Sequence, residues 1–89
     1  MSESKYSAMP QVDFMTFIMS MNASALMNLG AIPDPVSGKS VKNVTMAKQT
    51  IDILGIIQEK TRGNLTDEEV KLLENVLHDL HLMYVKESN

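Results

Sequence analysis

The chain has 89 residues, a net charge of -3 at pH 7 and neither cysteine nor tryptophan. This length allows one small domain, and the lack of cysteine excludes disulfide bonds, thiolate nucleophiles and zinc–cysteine sites. The acidic balance, with only Lys39, Lys42 and Lys48 approaching a basic cluster, argues against nucleic-acid binding.

The first twelve residues, MSESKYSAMPQV, are polar and have none of the basic and apolar segments of a secretory signal peptide. We predict that residues 1–12 form a flexible N-terminus and that residues 13–87 form a single helical domain. A cytoplasmic location is the corresponding expectation.

Residues 14–29 are predicted to form the first helix, which Asp13 can cap and Gly30 can end. The segment has no charged residue and is apolar almost all round, so it should be buried all round. Two other helices of a short chain cannot cover it completely. We therefore predict a homo-oligomer, in the simplest case a dimer, with an interface formed by Phe14, Phe17, Ile18, Met21, Ala25, Leu26 and Leu29.

A membrane role fits this segment poorly. Thr16, Ser20, Asn22, Ser24 and Asn28 would each carry a polar group into the hydrocarbon, and no basic cluster flanks the segment. An amphipathic helix at the membrane surface would have lysines on its polar side, and this one has none. We therefore expect no membrane span.

Residues 31–42, AIPDPVSGKSVK, form a long link in which Pro33, Pro35 and Gly38 exclude regular helix. Helix–helix links usually have about 2–8 residues. The segment can cross the end of the helical hairpin, carry a short extended piece at 40–42, or serve as a recognition loop. Asp34 is expected to organise it through an Asx-type hydrogen bond.

The second helix is predicted over residues 44–62, with Asn43 as its N-cap. Its apolar residues cover about half the circumference, which indicates more than one neighbour. Ile56 falls among the polar residues. Gly55 costs about 1 kcal/mol against alanine inside a helix, and a close backbone approach is one reason to keep it.

The link TRGNLTDEEV predicts the end of one helix and the start of the next. Gly63 suits the left-handed position after a helix, and Thr66 followed by Glu69 has the spacing of a capping box. A third helix is thus predicted over residues 67–86. Because the link is short, the last two helices should form an antiparallel hairpin. The predicted fold is all-α, with three helices in an oligomeric bundle.

One cluster has the composition of a metal site. Glu74, His78 and His81 are spaced by four and three residues and share a face of the third helix. Any further ligand would have to come from elsewhere, and residues at the edge of an apolar stripe are often simply half-solvated. The sequence contains no nucleophile triad and no nucleotide-binding glycine loop, and we expect no cofactor.

The motifs LGAIPDP, AKQTIDIL, KTRGNLT and LLENVLHDL together give the chain a family resemblance. From about residue 13 to residue 85 it resembles the small bacterial proteins grouped as domain of unknown function 1844. That resemblance implies an all-helical, cytoplasmic bacterial protein with no assigned activity and no known catalytic residues. Similar sequences tend to have Arg at the position of His81, which weakens a role for this histidine.

The sequence is most consistent with a non-enzymatic structural or protein-interaction module that associates with itself through the first helix. An unidentified protein that docks on this helix and the IPDP loop is a variant of the same idea. The alternative is a metal-binding protein or small enzyme that uses Glu74, His78 and His81.

Overall fold

The computed structural model describes residues 12–88, which form three α-helices: α1 (Phe14–Asn28), α2 (Val44–Lys60) and α3 (Asp67–Ser88). The predicted all-α fold is confirmed, and the helix bounds agree with the predicted ones to within two residues. No strand occurs within residues 12–88. Of the predicted flexible N-terminus, residues 1–11 lie outside the described part, and Val12 is exposed and non-helical.

The first two helices begin at the predicted caps. The Thr16 amide donates to Asp13 Oδ1 at 2.8 Å, and the Met46 amide donates to Asn43 Oδ1 at 3.0 Å. Each bond satisfies one of the amides that a helix leaves without an internal partner at its start. Short polar side chains therefore define where α1 and α2 begin.

The third helix begins with the predicted capping box. The Thr66 amide donates to Glu69 Oε1 at 2.8 Å, and the Glu69 amide donates back to Thr66 Oγ1 at 3.1 Å. The first turn also carries Asp67 and Glu68, whose negative charges favour the positive end of the helix dipole.

Gly30 ends α1 as predicted. Its φ of 77° is in the left-handed region, and its amide donates to the Met27 carbonyl at 3.0 Å. The Ala31 amide donates to the Leu26 carbonyl at 2.9 Å, which completes a Schellman motif. Two carbonyls that would otherwise lack partners are thereby satisfied.

The end of α2 differs slightly from the prediction. The helix ends at Lys60, and Gly63 lies in a separate turn that the Asn64 amide closes on the Thr61 carbonyl at 2.8 Å. Gly63 still has the left-handed conformation, with φ of 87°. This turn connects α2 to the antiparallel α3.

Two contacts set the directions of the helices. The Asn43 amide donates to the Asn28 carbonyl at 2.7 Å, so α2 starts beside the end of α1. The Lys42 ammonium forms an ion pair with the Glu87 carboxylate, which brings the end of α3 to the same junction. The chain therefore runs up, down and up through the three helices.

The core lies where the three helices meet and contains ten buried apolar residues. Its largest fully buried side chains are Ile18, Leu54, Leu73 and Leu80, so every helix contributes. Burying a side chain of this size stabilises a fold by about 1.5–3 kcal/mol. No polar or charged residue of the described chain is buried.

Gly55 has no packing reason within residues 12–88. A Cβ atom added there would meet nothing within 4 Å, so the close backbone approach suggested from the sequence is absent. A Cβ at Gly30 would touch the Lys42 side chain at an ordinary 3.5 Å. The requirement for glycine at position 30 therefore comes from its backbone conformation.

Thr66→Ala should lower the free energy of unfolding by about 1 kcal/mol, because the Glu69 amide loses its acceptor. Urea denaturation followed by circular dichroism measures the change. Thr45→Ala is the matched control, since Thr45 is an exposed residue in the first turn of α2. Equal effects at the two positions would contradict the role of the capping box.

Alanine at the two glycines should act in opposite directions. Gly55→Ala should raise the free energy of unfolding by about 1 kcal/mol through helix propensity. Gly30→Ala should lower it by about 1–2 kcal/mol, because alanine disfavours a positive φ. The same denaturation experiment measures both, and a stabilised Gly30→Ala variant would contradict the Schellman geometry.

Candidate interaction surface

The seven residues predicted to form an interface do not share one environment. Three of them are buried in the core of the single chain: Ile18, Ala25 and Leu29. Three more are half-buried against that core: Phe14, Met21 and Leu26. Phe17 is 47% exposed. Among residues 12–88, α1 is therefore not buried all round, and its side opposite Ile18 is the more exposed one.

The outer arc of α1 carries no charge. At about 100° per residue, Met19 and Phe17 mark the two edges of an arc that lies opposite Ile18. Both are nearly half exposed, at 48% and 47%. Between them lie small or uncharged side chains that are exposed or half-buried: Thr16, Ser20, Ala23, Ser24 and Met27.

One side of α2 also exposes large apolar side chains. Met46 and Ile53 are seven residues apart and share a side of the helix, and Ile56 lies next to them one turn on. Their exposed fractions lie between 42% and 59%. Sequence reasoning missed these residues as candidates. The one available signal was the position of Ile56 among polar neighbours.

The hydrogen bond between the Asn43 amide and the Asn28 carbonyl places the start of α2 beside the end of α1. Phe17 lies about three turns before Asn28 on the same side of α1, whereas Ile53 lies about 80° around α2 from Asn43. We call the outer arc of α1, which has no charged residue, together with Met46, Ile53 and Ile56 of α2 the uncharged face. Its exposed apolar side chains are Phe17, Met19, Met46, Ile53 and Ile56.

The outer side of α3 has a different character. It also exposes Leu82 and Val85, but charged side chains surround them along the helix: Lys71, Glu74, Asp79 and Lys86. Such alternation is typical of a solvated helix surface. The uncharged face is consequently the stronger candidate for protein contact.

Asp34 organises the long link, as predicted. Its carboxylate Oδ1 accepts the Val36 amide at 2.8 Å, which is an Asx turn. Its carbonyl accepts the Gly38 amide at 2.7 Å, and its own amide donates to the Lys39 carbonyl at 2.9 Å. Residues 31–43 are exposed and contain no strand, so the extended piece considered for 40–42 forms no sheet.

A cleft of about 390 Å³ separates this link from the end of α1. It opens at one end of the uncharged face, and uncharged side chains line it together with one carboxylate: Ser24, Met27, Asn28, Asp34, Pro35, Val41 and Asn43. The cleft lies beside the end of α1, and Asp34 is the charged residue in its lining.

The three candidate metal ligands do not form a centre. Glu74, His78 and His81 are all exposed on α3, and His78 Nδ1 lies 3.3 Å from the carboxylate of Asp79. Within the described chain, no three His, Asp or Glu side chains are grouped so that they could hold a metal ion.

Comparison with known proteins places the chain in one family. The family model described as "Domain of unknown function (DUF1844)" matches residues 11–86. No curated protein and no solved structure matches the chain. None of α1, α2 and α3 is both long and apolar enough to cross a membrane.

Three side chains of the described residues have shifted pKa values, each with a local cause. Hydrogen bonds from Thr16 lower the pKa of Asp13, and the Asp52 carboxylate raises the pKa of Lys48. The Lys42 ammonium lowers the pKa of Glu87. These shifts belong to a helix cap and to surface ion pairs, so they do not mark an acid–base site.

Lys42→Met should raise the pKa of Glu87 toward its ordinary range, which a carboxyl-detected NMR titration measures. Because the folded-state pKa is below the unfolded one, the pair stabilises the fold at neutral pH. That contribution is lost as the pH falls through the folded-state pKa of Glu87. The pKa of Asp13 is the internal control and should stay low. An unchanged Glu87 pKa would contradict the ion pair.

Proposed function

We propose that this chain, which belongs to the family described as domain of unknown function DUF1844, is a non-enzymatic protein that associates with a second copy of itself through the uncharged face. The observation that carries the proposal is the set of five large apolar side chains that the outer sides of α1 and α2 leave exposed. A cytoplasmic bacterial setting, as the sequence resemblance implies, is part of the proposal.

The exposed apolar area of the face makes up part of the surface that a protein interface needs. At about 200 Å² for a fully exposed side chain of this size, the five exposed fractions amount to roughly 500 Å². Among monomeric proteins the largest apolar patch covers about 300–600 Å² and is often functional. Each partner in a standard interface buries about 800 Å², and the smaller side chains between Phe17 and Met19 add to the available surface.

The chemistry of the face favours close packing of helices. Ser20, Ala23 and Ser24 are small enough to let a second backbone approach, while Met19 and Met27 can adapt to an irregular neighbour. No charged group of α1 has to be desolvated when the face is covered, so association avoids a cost that charged surfaces carry.

A second copy is the occupant that we propose for this face. Most soluble oligomers are symmetric dimers in which the same patch of both subunits is in contact. Such contact places a patch against its own copy. Two copies of a charged patch repel each other, whereas two copies of an apolar patch do not. The uncharged face meets this requirement.

Association is measured by size-exclusion chromatography with light scattering over a dilution series of the full chain. We expect a dimer at micromolar concentration that dissociates on dilution. A well-folded monomer throughout this range would contradict self-association. The occupant of the face would then be a different protein or residues 1–11 of the same chain.

Phe17→Lys and Ile53→Lys should each shift the chain to monomer, because both place a charge in the proposed interface. Leu82→Lys is the matched control, since Leu82 is 60% exposed but lies on α3 outside the face. Circular dichroism checks that all three variants remain helical. Dimers that survive both substitutions, or that dissociate equally with Leu82→Lys, would contradict the assignment of the face.

A further inference from the structure

The Lys42 side chain connects parts of the fold that are far apart in the chain. Its ammonium pairs with the carboxylate of Glu87, which lies in the last turn of α3. The other ion pairs of residues 12–88 are local, since each joins residues at most four positions apart. Among the described residues, the Lys42–Glu87 pair is therefore the one ionic contact that links separate elements of the fold.

The methylene chain of Lys42 passes the end of α1 before its ammonium reaches Glu87. A Cβ atom built on Gly30 would lie 3.5 Å from Lys42 Cγ and 3.6 Å from Lys42 Cε, so the methylene chain runs beside this glycine. Gly30 and Ala31 donate the two hydrogen bonds of the Schellman motif that ends α1. One side chain is thus in reach of both the end of α1 and the end of α3.

The backbone and the side chain of Lys42 are held by different contacts. The backbone is fixed by the next residue, Asn43, whose amide donates to the Asn28 carbonyl at 2.7 Å. The side chain is 53% exposed, and its ionic contact is with Glu87, which is 29% exposed. A free lysine side chain occupies many rotamers, and holding it in one of them costs conformational entropy. The position of the methylene chain beside Gly30 therefore depends on the ion pair at its far end.

We propose that Lys42 is a clasp that couples the end of α1 to the end of α3. While the ion pair is present, the methylene chain shields the hydrogen bonds of Gly30 and Ala31 from water, and the last turn of α3 stays at the junction. When either charge of the pair is lost, the side chain moves away and the two helix ends open together. This local opening leaves the core intact and does not depend on the proposed self-association.

The clasp is next to the cleft between the long link and the end of α1. Met27, whose carbonyl accepts the Gly30 amide, lines this cleft, and so do the two residues that flank Lys42 in the chain, Val41 and Asn43. Opening of the clasp therefore loosens two sides of the cleft at once. The ion pair controls how rigidly the cleft is held.

Amide hydrogen exchange measured by NMR on the full chain tests the coupling. Glu87→Gln should speed exchange of the Gly30 and Ala31 amides about two- to fivefold, which is the range that one exposed ion pair can supply. The amides in the last turn of α3 should speed up by a similar factor. The Asn64 amide, which donates to the Thr61 carbonyl in the turn between α2 and α3, is the reference and should keep its rate.

Substitutions at Lys42 separate its charge from its length. Lys42→Met keeps an unbranched apolar side chain and removes the charge, so it should act like Glu87→Gln at both helix ends. Lys42→Arg keeps the charge and a long side chain, so exchange should stay close to that of the wild type. Asp52→Asn is the matched control, because it removes the exposed ion pair with Lys48 within α2 and should change neither end.

The double variant decides whether the two charges act as a unit. Lys42→Met combined with Glu87→Gln should speed exchange no more than either change alone, whereas additive effects would overturn the clasp. Faster exchange in the last turn of α3 with unchanged Gly30 and Ala31 amides would show an ordinary surface ion pair and would also overturn it. An equal increase at the Asn64 amide would show general loosening in place of coupling, with the same consequence.

Discussion

The structure depends on one constraint: α1 has no charged side chain along its fifteen residues, yet residues 12–88 cover only one side of it. Ile18, Ala25 and Leu29 fill the core, which leaves Phe17 and Met19 in water. Water contact with large apolar side chains is unfavourable in proportion to their exposed area. A helix in this situation gains stability from any partner that matches its shape.

The polar groups at the helix ends decide what that apolar surface looks like. Asn28 and Asn43 connect the end of α1 to the start of α2, and Lys42 reaches Glu87 at the end of α3. This junction fixes how far the two helices are shifted along each other. The exposed side chains of α1 and α2 consequently keep fixed positions relative to one another.

Local signals in the sequence were sufficient for most of the fold. Asp13, Asn43 and the Thr66–Glu69 pair act on amides within three residues of themselves, so their bonds could be predicted without knowing the tertiary structure. The Asx turn at Asp34 is equally local.

The division of α1 into a core side and an exposed side could not be predicted in the same way. The sequence of a helix that is apolar almost all round does not indicate which side faces the core, because Ile18 and Phe17 are equally suited to burial. The same limit applies to α2, where the apolar arc exceeds what two neighbours can cover. Only the arrangement of the three helices distinguishes Ile51, which is buried, from Ile53, which is not.

The order of the helices along the chain has a consequence for biosynthesis. The core cluster that covers the inner side of α1 includes Leu80, so the ribosome must synthesise the chain as far as that residue before the cover is complete. At about 5–20 residues per second, this interval lasts several seconds. During that time the methionine-rich segment has no charges of its own to keep other nascent chains away. The α2–α3 hairpin needs only a short turn and therefore forms rapidly. Its formation limits the time during which α1 has no surface to pack against.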